Sequence, residues 1–259
     1  MRHVDARAAK GTVRPTSPPH ASVPSAVIVE LRQYTLHPRQ RDVLIELFDR
    51  EFVETQEAVG MTVIGQFRDL DDPDRFVWLR GYPDMATRAA GLNAFYGGPT
   101  WMAHRDRANA TMIDSDNVLL LEPASNATAI SVGPRSTATS GDSLVVATIY
   151  SLRPESASSF PKLFDEIARP MLVGAGAAVL GEYVTSAHPN NFPRLPVREG
   201  ERVFVVFSRF PGVAAHDAHR ATLAGNRRWT GDVAERLGSN LRGAEETLRL
   251  APTARSRLR

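Results

Sequence analysis

Arginines and aromatic rings alternate in two short segments of the sequence. Arg32 and Tyr34 are two residues apart, and Trp78 and Arg80 have the same spacing. Residues two apart on a β-strand share a face, so these side chains converge if the two strands are neighbours. Guanidinium groups beside rings favour a flat anionic or aromatic ligand, held by bidentate contacts and stacking. The spacing therefore predicts a ligand-binding site at these four residues.

Glu30 supplies a competing interpretation of the same face. It shares the alternation with Arg32, so it could pair with Arg32 or Arg80 in a closed core where the rings only fill space. The opposite face is aliphatic and suited to packing under helices; it comprises Val27, Val29, Leu31, Val77 and Leu79. The sequence therefore does not decide between a ligand-binding pocket and a packed core at these residues.

Candidates for catalytic proton transfer are few. Tyr34 lies in the predicted site, and His104 lies near Trp101 as a candidate general base. Tyr150, which repeats Tyr34 in the second half of the chain, and Tyr183 are predicted to close the site from the far side.

Metal and cofactor signals are absent from the sequence. The chain has no cysteine, and His216 and His219 are three apart with no third ligand indicated, so we expect them on an exposed helix face. The Gly174 to Gly181 stretch follows a predicted helix, whereas a dinucleotide-binding loop must open one. We predict no metal site and name no cofactor.

A domain-sized repeat relates the two halves of the chain. Tyr34 matches Tyr150, and the same offset continues through further identities: Leu36/Leu152, Pro38/Pro154, the run Leu47–Asp49/Leu163–Asp165, Gly60/Gly176, Val63/Val179 and Gly65/Gly181. After an extra loop, His188 to Glu199, the matches resume at Phe76/Phe204, Val77/Val205, Pro83/Pro211 and Trp101/Trp229. The second half has Thr148, Val206 and Ser208 where the first has Arg32, Trp78 and Arg80, so it lacks the polar groups of the predicted site.

Each half shows hydrophobic alternation and helical stripes in the order β-α-β-β-α-β, which is the ferredoxin-like pattern. We therefore predict an α+β protein with two tandem ferredoxin-like domains, at 26–123 and 143–252. A tail at 1–25, a linker at 124–142 and a basic C-terminal tail at 253–259 complete the division. The Pro-rich stretch 1–25 is typical of a disordered tail, although its arginines also suit a mitochondrial presequence, and we expect both chain ends to be mobile and dispensable.

Charge and hydropathy exclude two function classes. The sequence pI is near 9.2, but the excess of basic residues lies in the two tails, so the body between them is acidic and unsuited to nucleic acid. The sequence has no apolar run long enough for a membrane span, and we expect a soluble cytoplasmic protein.

The first-strand segment Glu30 to Leu36 followed by Pro38 resembles the NIPSNAP family, as do Trp78 to Tyr82, Arg88, Tyr96 to Trp101 and Asn117 to Pro123. The resemblance implies a dimeric α/β-barrel, in which two sheets pack face to face around a small central cavity lined by the arginine-bearing face. A tandem repeat can form such a barrel within one chain.

Three functions fit these observations. The first is binding of a small aromatic or anionic molecule in the barrel cavity. The second is a cofactor-poor monooxygenase or isomerase that uses Tyr34 and His104. The third is a non-catalytic interaction or scaffold protein with a packed barrel. The sequence does not decide whether the chain forms a homo-oligomer.

Overall fold

The computed structural model describes residues 26–135 and 143–259. The predicted tail at 1–25 and the linker residues 136–142 lie outside this range. The first half contains these strands and helices: β1 Ile28–Leu36, α1 Arg41–Leu47, a π-helical turn Phe48–Phe52, α2 Val53–Glu57, β2 Thr62–Asp69, β3 Arg75–Tyr82, α3 Met85–Tyr96, α4 Pro99–Asn109 and β4 Met112–Pro123. The second half contains β5 Leu144–Ser151, α5 Phe160–Leu163, a π-helical turn Phe164–Ala168, α6 Arg169–Gly174, β6 Ala178–Thr185, β7 Val203–Phe210, α7 Val213–Ala224, a π-helical turn Trp229–Val233, α8 Ala234–Gly238 and β8 Glu246–Pro252.

Local sequence explains where several helices begin and end. Asp84 caps α3, its carboxylate accepting a bond of 2.6 Å from the backbone N–H of Thr87, and Pro99 opens α4 at a position that needs no N–H donor. Gly60 and Gly176 have φ of 86° and 100°, a left-handed conformation that favours glycine after a helix. The repeated glycines thus mark the same helix-to-strand turn in both halves.

The eight strands of the described residues pair antiparallel in one closed barrel, in the order β1-β3-β2-β8-β5-β7-β6-β4. Each half contributes four adjacent strands, and the halves join at two seams. At one seam Phe67 pairs with Pro252, and at the other Leu121 pairs with Thr185. The two sheets are therefore joined edge to edge by hydrogen bonds.

Apolar side chains from all eight strands fill the barrel interior. The buried members are mostly aliphatic and include Val29, Leu31, Val77, Leu79, Val145, Val205 and Leu250. An eight-stranded barrel is just wide enough for its own side chains to fill it. The expected packing of Val29, Leu31, Val77 and Leu79 under helices is wrong, because these residues point inward; Val27 is half exposed.

Two separate helix layers cover the outside of the barrel. In the first half, Leu44, Phe48, Phe52 and Phe95 pack on the outer face of β1 and β3. In the second half, Phe160, Phe164 and Leu237 pack on the outer face of β5 and β7. Each half therefore has its own core between sheet and helices, besides the shared core in the barrel.

The repeat is visible in the strand register. Tyr34 pairs with Phe76 and Tyr150 pairs with Phe204, which are matching positions in the two halves. Both halves also carry a bulge before the repeated glycine, at Gly65 and Gly181. The division into domains at 26–123 and 143–252 remains a prediction.

Residues 124–135 of the linker and the C-terminal tail pack against the barrel. Ile130 belongs to the interior core, and its backbone N–H donates to Tyr183 Oη at 2.8 Å. Leu258 is buried in the same core, and its N–H donates to the Ile64 carbonyl at 3.1 Å. Arg255 pairs with Glu54 and Arg257 pairs with Glu57. The expectation of a mobile basic C-terminal tail is therefore wrong, because its apolar residue fills the barrel end.

No helix among the described residues is both long enough and apolar enough to cross a membrane.

Gly181→Ala should destabilise the protein by about 1–3 kcal/mol, because its Cβ would meet Ile130 Cγ1 at 2.7 Å and the Thr128 carbonyl oxygen at 2.9 Å. Urea unfolding gives the free energy. Gly174→Ala is the matched control, since its Cβ meets no atom within 4 Å and it lies in a helix. Equal stability of the two variants would contradict the conclusion that the close packing at Gly181 excludes a Cβ atom.

Leu258→Ala should cost about 2–3 kcal/mol in the same measurement, since it removes a buried side chain from the end of the barrel core. Leu70→Ala, at a position 43% exposed, is the control and should cost under about 1 kcal/mol. A Leu258 variant as stable as the control would show that the C-terminal residues are dispensable.

Candidate functional site

The outer face of β1 and β3 carries the residues that the sequence singled out. Arg32 pairs in register with Trp78, Glu30 with Arg80, and Tyr34 with Phe76. All lie on the side covered by helices, since residues of the same alternation belong to the helix-covered core. The structure brings Arg32, Tyr34, Trp78 and Arg80 together, but outside the barrel rather than in a central cavity.

The Glu30 carboxylate is the centre of this group. Its Oε2 atom accepts from Arg32 Nη1 at 2.7 Å and from Arg80 Nη2 at 2.6 Å, and its Oε1 accepts from Arg88 Nε at 2.8 Å. None of the four side chains is more than 1% exposed. We call Glu30, Arg32, Arg80 and Arg88 the arginine cluster.

The charges of the cluster hold Glu30 ionised. Burial alone would raise the pKa of Glu30, but the guanidinium groups of Arg80, Arg32 and Arg88 outweigh it and hold this pKa well below its usual range. The carboxylate is therefore negative near neutral pH.

Arg88 is the member that the sequence did not single out as a site residue. It lies on α3, and its Nη1 donates to Asn190 Oδ1 at 3.0 Å and to Asn191 Oδ1 at 2.7 Å. Both asparagines belong to the extra loop that interrupts the repeat, and Asn191 also donates to the Met85 carbonyl at 2.6 Å. A loop of the second half thus covers the cluster of the first. The sequence signal for this contact was the insertion in the repeat, because a loop present in only one half can pack against the other half.

Aromatic rings surround the guanidinium groups. Arg32 and Arg80 lie 5.6 and 5.0 Å from the Trp78 ring centroid, and Arg80 lies 5.7 Å from that of Tyr82. Arg32 Nε donates to Tyr34 Oη at 2.9 Å. Burial raises the pKa of Tyr34 and that of Tyr82, so both phenols stay neutral near pH 7 and add no second negative charge.

A small cavity of about 40 Å³ lies beside the cluster, between the sheet and the helices. Its walls include Tyr34, Trp78 and Gln56, and Tyr96 and Trp101 close it on the outer side. Gln56 Oε1 accepts from Arg80 Nη1 at 2.9 Å, which links the cavity wall to the cluster. Two buried donors at this site, the indole N–H of Trp78 and the Nη2 of Arg88, have no hydrogen-bond partner among the described residues.

The other predicted site residues lie elsewhere. His104 is about one-third exposed, and its Nε2 lies 3.5 Å from Glu51 Oε2 without lining the cavity. Tyr150 packs against Phe160 and Phe204 in the helix layer of the second half. The expectation that Tyr150 closes the arginine site fails because both tyrosines point away from the barrel that lies between them.

The described ranges contain no group of three or more His, Asp or Glu side chains that could hold a metal ion. His216 and His219 are buried rather than exposed, because both rings pack on Phe210 at centroid distances of 4.9 Å. The expected exposed helix face is thus wrong for these residues.

Solved structures share this fold over about nine-tenths of the chain. A putative monooxygenase from Fusobacterium nucleatum is 10% identical, with a TM-score of 0.57 over 89% of this chain and 94% of that chain. A putative monooxygenase from Lactobacillus acidophilus is 11% identical, with a TM-score of 0.54 over 87% and 93%. An anthrone oxidase-like protein is 13% identical, with a TM-score of 0.57 over 90% and 93%. At these identities the likeness establishes the fold alone.

No curated protein matches the chain. The NIPSNAP family model matches residues 29–127, a range that holds β1 to β4 and the whole arginine cluster but not the loop that covers it. The resemblance seen in the first strand is thereby confirmed. The family match is therefore shown for residues 29–127, in the first half of the chain.

Proposed function

We propose that the protein binds a small anionic molecule beside the arginine cluster, in the layer between the sheet and the helices of the first half. One observation supports this most: three guanidinium groups share a single carboxylate with almost no exposure to water. Removing an ion from water costs several kcal/mol even after relaxation, so an unbalanced positive charge is expensive to bury. An anion in the adjacent cavity would lower that cost.

The cavity wall suits such a ligand. Trp78 offers an indole N–H without a partner, and Tyr34 offers a neutral phenol whose oxygen already accepts from Arg32. An anion bound there would receive hydrogen bonds from these donors and the field of the guanidinium groups in a low-dielectric surrounding.

The volume limits the ligand. A water molecule needs at least about 10–15 Å³ and a benzene-binding cavity has about 150 Å³, so 40 Å³ admits an anion of a few atoms. A ligand with an aromatic ring requires the outer wall to open. Tyr96 and Trp101 are the half-buried residues that would move.

A scaffold function is the second candidate, because the barrel interior is packed with apolar side chains and Glu30 has three partners. The monooxygenase alternative has less support. The fold neighbours named as monooxygenases are only 10–11% identical, Tyr34 is protonated near pH 7, and His104 does not line the cavity.

The ferredoxin-like interpretation of each half belongs to this proposal. It is supported by the element order and by the strand orders β4-β1-β3-β2 and β8-β5-β7-β6, which correspond under the repeat. Cytoplasmic location remains a prediction.

Glu30→Gln should cost about 3–5 kcal/mol in urea unfolding, because it leaves three buried guanidinium groups without a carboxylate. Arg32→Met should cost less than half as much, since Glu30 keeps Arg80 and Arg88. Arg68→Met, which breaks the exposed pair with Asp42, is the control and should cost at most about 1 kcal/mol. If Arg32→Met lowers the free energy of unfolding as much as Glu30→Gln does, the cluster acts as a packed core and the scaffold function is favoured.

Sodium formate should raise the melting temperature of the parent protein in a saturable way, relative to sodium gluconate at equal ionic strength, because a ligand that binds only the folded state stabilises it. Arg32→Met should lose this response and Arg68→Met should keep it. Native mass spectrometry of the freshly purified parent protein, beside Arg32→Met, tests for a retained ligand. An equal formate response in parent and Arg32→Met would contradict the proposed anion site.

A further inference from the structure

The second half has an open groove where the first half has the arginine cluster. The groove has a volume of about 720 Å³ and lies between the outer face of β5, β7 and β8 and the helical segments from α7 to α8. Its floor includes Thr148, Val206 and Ser208, and its wall includes His216 and His219. The corresponding cavity of the first half has only about 40 Å³.

The repeat explains this difference in volume. Thr148, Val206 and Ser208 stand where the first half has Arg32, Trp78 and Arg80, and in both halves these positions face the helices. Each replacement exchanges a long or bulky side chain for a short one. The helices of the second half have not collapsed onto the shorter side chains, so the space stays open.

The two histidines give the groove its chemistry. His219 Nδ1 lies 3.1 Å from the Ala175 carbonyl oxygen, and because a carbonyl can only accept, Nδ1 carries the proton of a neutral ring. Burial lowers the pKa of His219, which keeps the ring neutral near pH 7. Its Nε2 therefore carries a lone pair, and that atom has no hydrogen-bond partner in the described structure.

His216 adds a second unsatisfied atom. Its side chain is more than nine-tenths buried, and its Nδ1 has no hydrogen-bond partner within residues 26–135 and 143–259. The two imidazole rings are nearly parallel, with an interplanar angle of 20° and centroids 6.2 Å apart. A buried polar atom without a partner is uncommon, so His216 Nδ1 leaves hydrogen-bonding capacity for a ligand.

The charge of the groove differs from that of the arginine cluster. Its charged lining residues, Arg220 and Glu245, are both exposed and opposite in sign. The deeper lining is apolar and includes Leu172, Val206, Phe210 and Leu223. The groove therefore favours a neutral molecule with an apolar body over an anion.

We propose that this groove binds a small, neutral, mainly apolar molecule that carries a hydroxyl group of the phenol class, with His219 Nε2 accepting the hydrogen bond from that hydroxyl. The site does not depend on the anion proposed for the first half.

The test compares p-cresol with toluene, which differ by one hydroxyl group. In two-dimensional ¹H–¹⁵N NMR titrations of the full chain, p-cresol should shift signals of α7 and β7 and bind about fivefold more tightly than toluene, the factor expected for one net hydrogen bond. His219→Asn keeps a donor for Ala175 but removes the Nε2 acceptor, so it should bind both probes equally. Arg68→Met, which changes an exposed ion pair of the first half, is the matched control and should behave as the parent protein does.

Val206→Trp should abolish binding of both probes, because it restores the bulky residue of the first half. If that variant does not fold, Thr247→Trp at the exposed edge of the groove serves the same purpose. Equal affinity of the parent for both probes, shifts outside the groove, or unchanged binding in the folded tryptophan variant would overturn the proposal. Concentration-dependent shifts of the same signals without a probe would also overturn it, since a second copy of the chain would then occupy the groove.

Discussion

Closing eight antiparallel strands into one barrel leaves room inside only for the side chains of the strands themselves. Here these side chains come from all eight strands and are almost all apolar. The charged groups Glu30 and Arg80 lie instead on the outer face, where helices shield them from water. The packed interior thus determines where in this protein a binding site can form.

The two halves use their outer faces in different ways. In the first half, long side chains fill the layer between sheet and helices and place an excess of positive charge there. In the second half, short side chains at the repeated positions leave the layer open and almost uncharged. In a symmetric dimer a substitution changes the layer of both subunits. Here both halves are parts of one chain, so a substitution changes one layer and leaves the other as it was.

The sequence predicted the convergence of Arg32, Tyr34, Trp78 and Arg80, because alternation fixes which residues share a face. It could not predict which face lies inside, since an aliphatic face suits a barrel interior and a helix layer equally well. Arg88 escaped notice as a site residue because a helical residue reaches a strand only through tertiary packing. The burial of His216 and His219 depends on Phe210, a contact between a helix and a strand that spacing does not reveal. The replacement of Arg32, Trp78 and Arg80 by smaller residues was visible in the sequence, but only the structure shows that it creates space.

The two seams of the barrel bear on how the chain reaches its native state. Phe67 pairs with Pro252, and β4 pairs with β6 across the linker and the first helices of the second half. Contacts between residues so distant along the chain form late and slow the folding reaction. Until both seams close, the outer strands of each four-stranded sheet have unpaired backbone groups that can pair with another chain. The protein is therefore most prone to pair with another chain before the seams close. Residues that speed this closure protect the protein from misassembly.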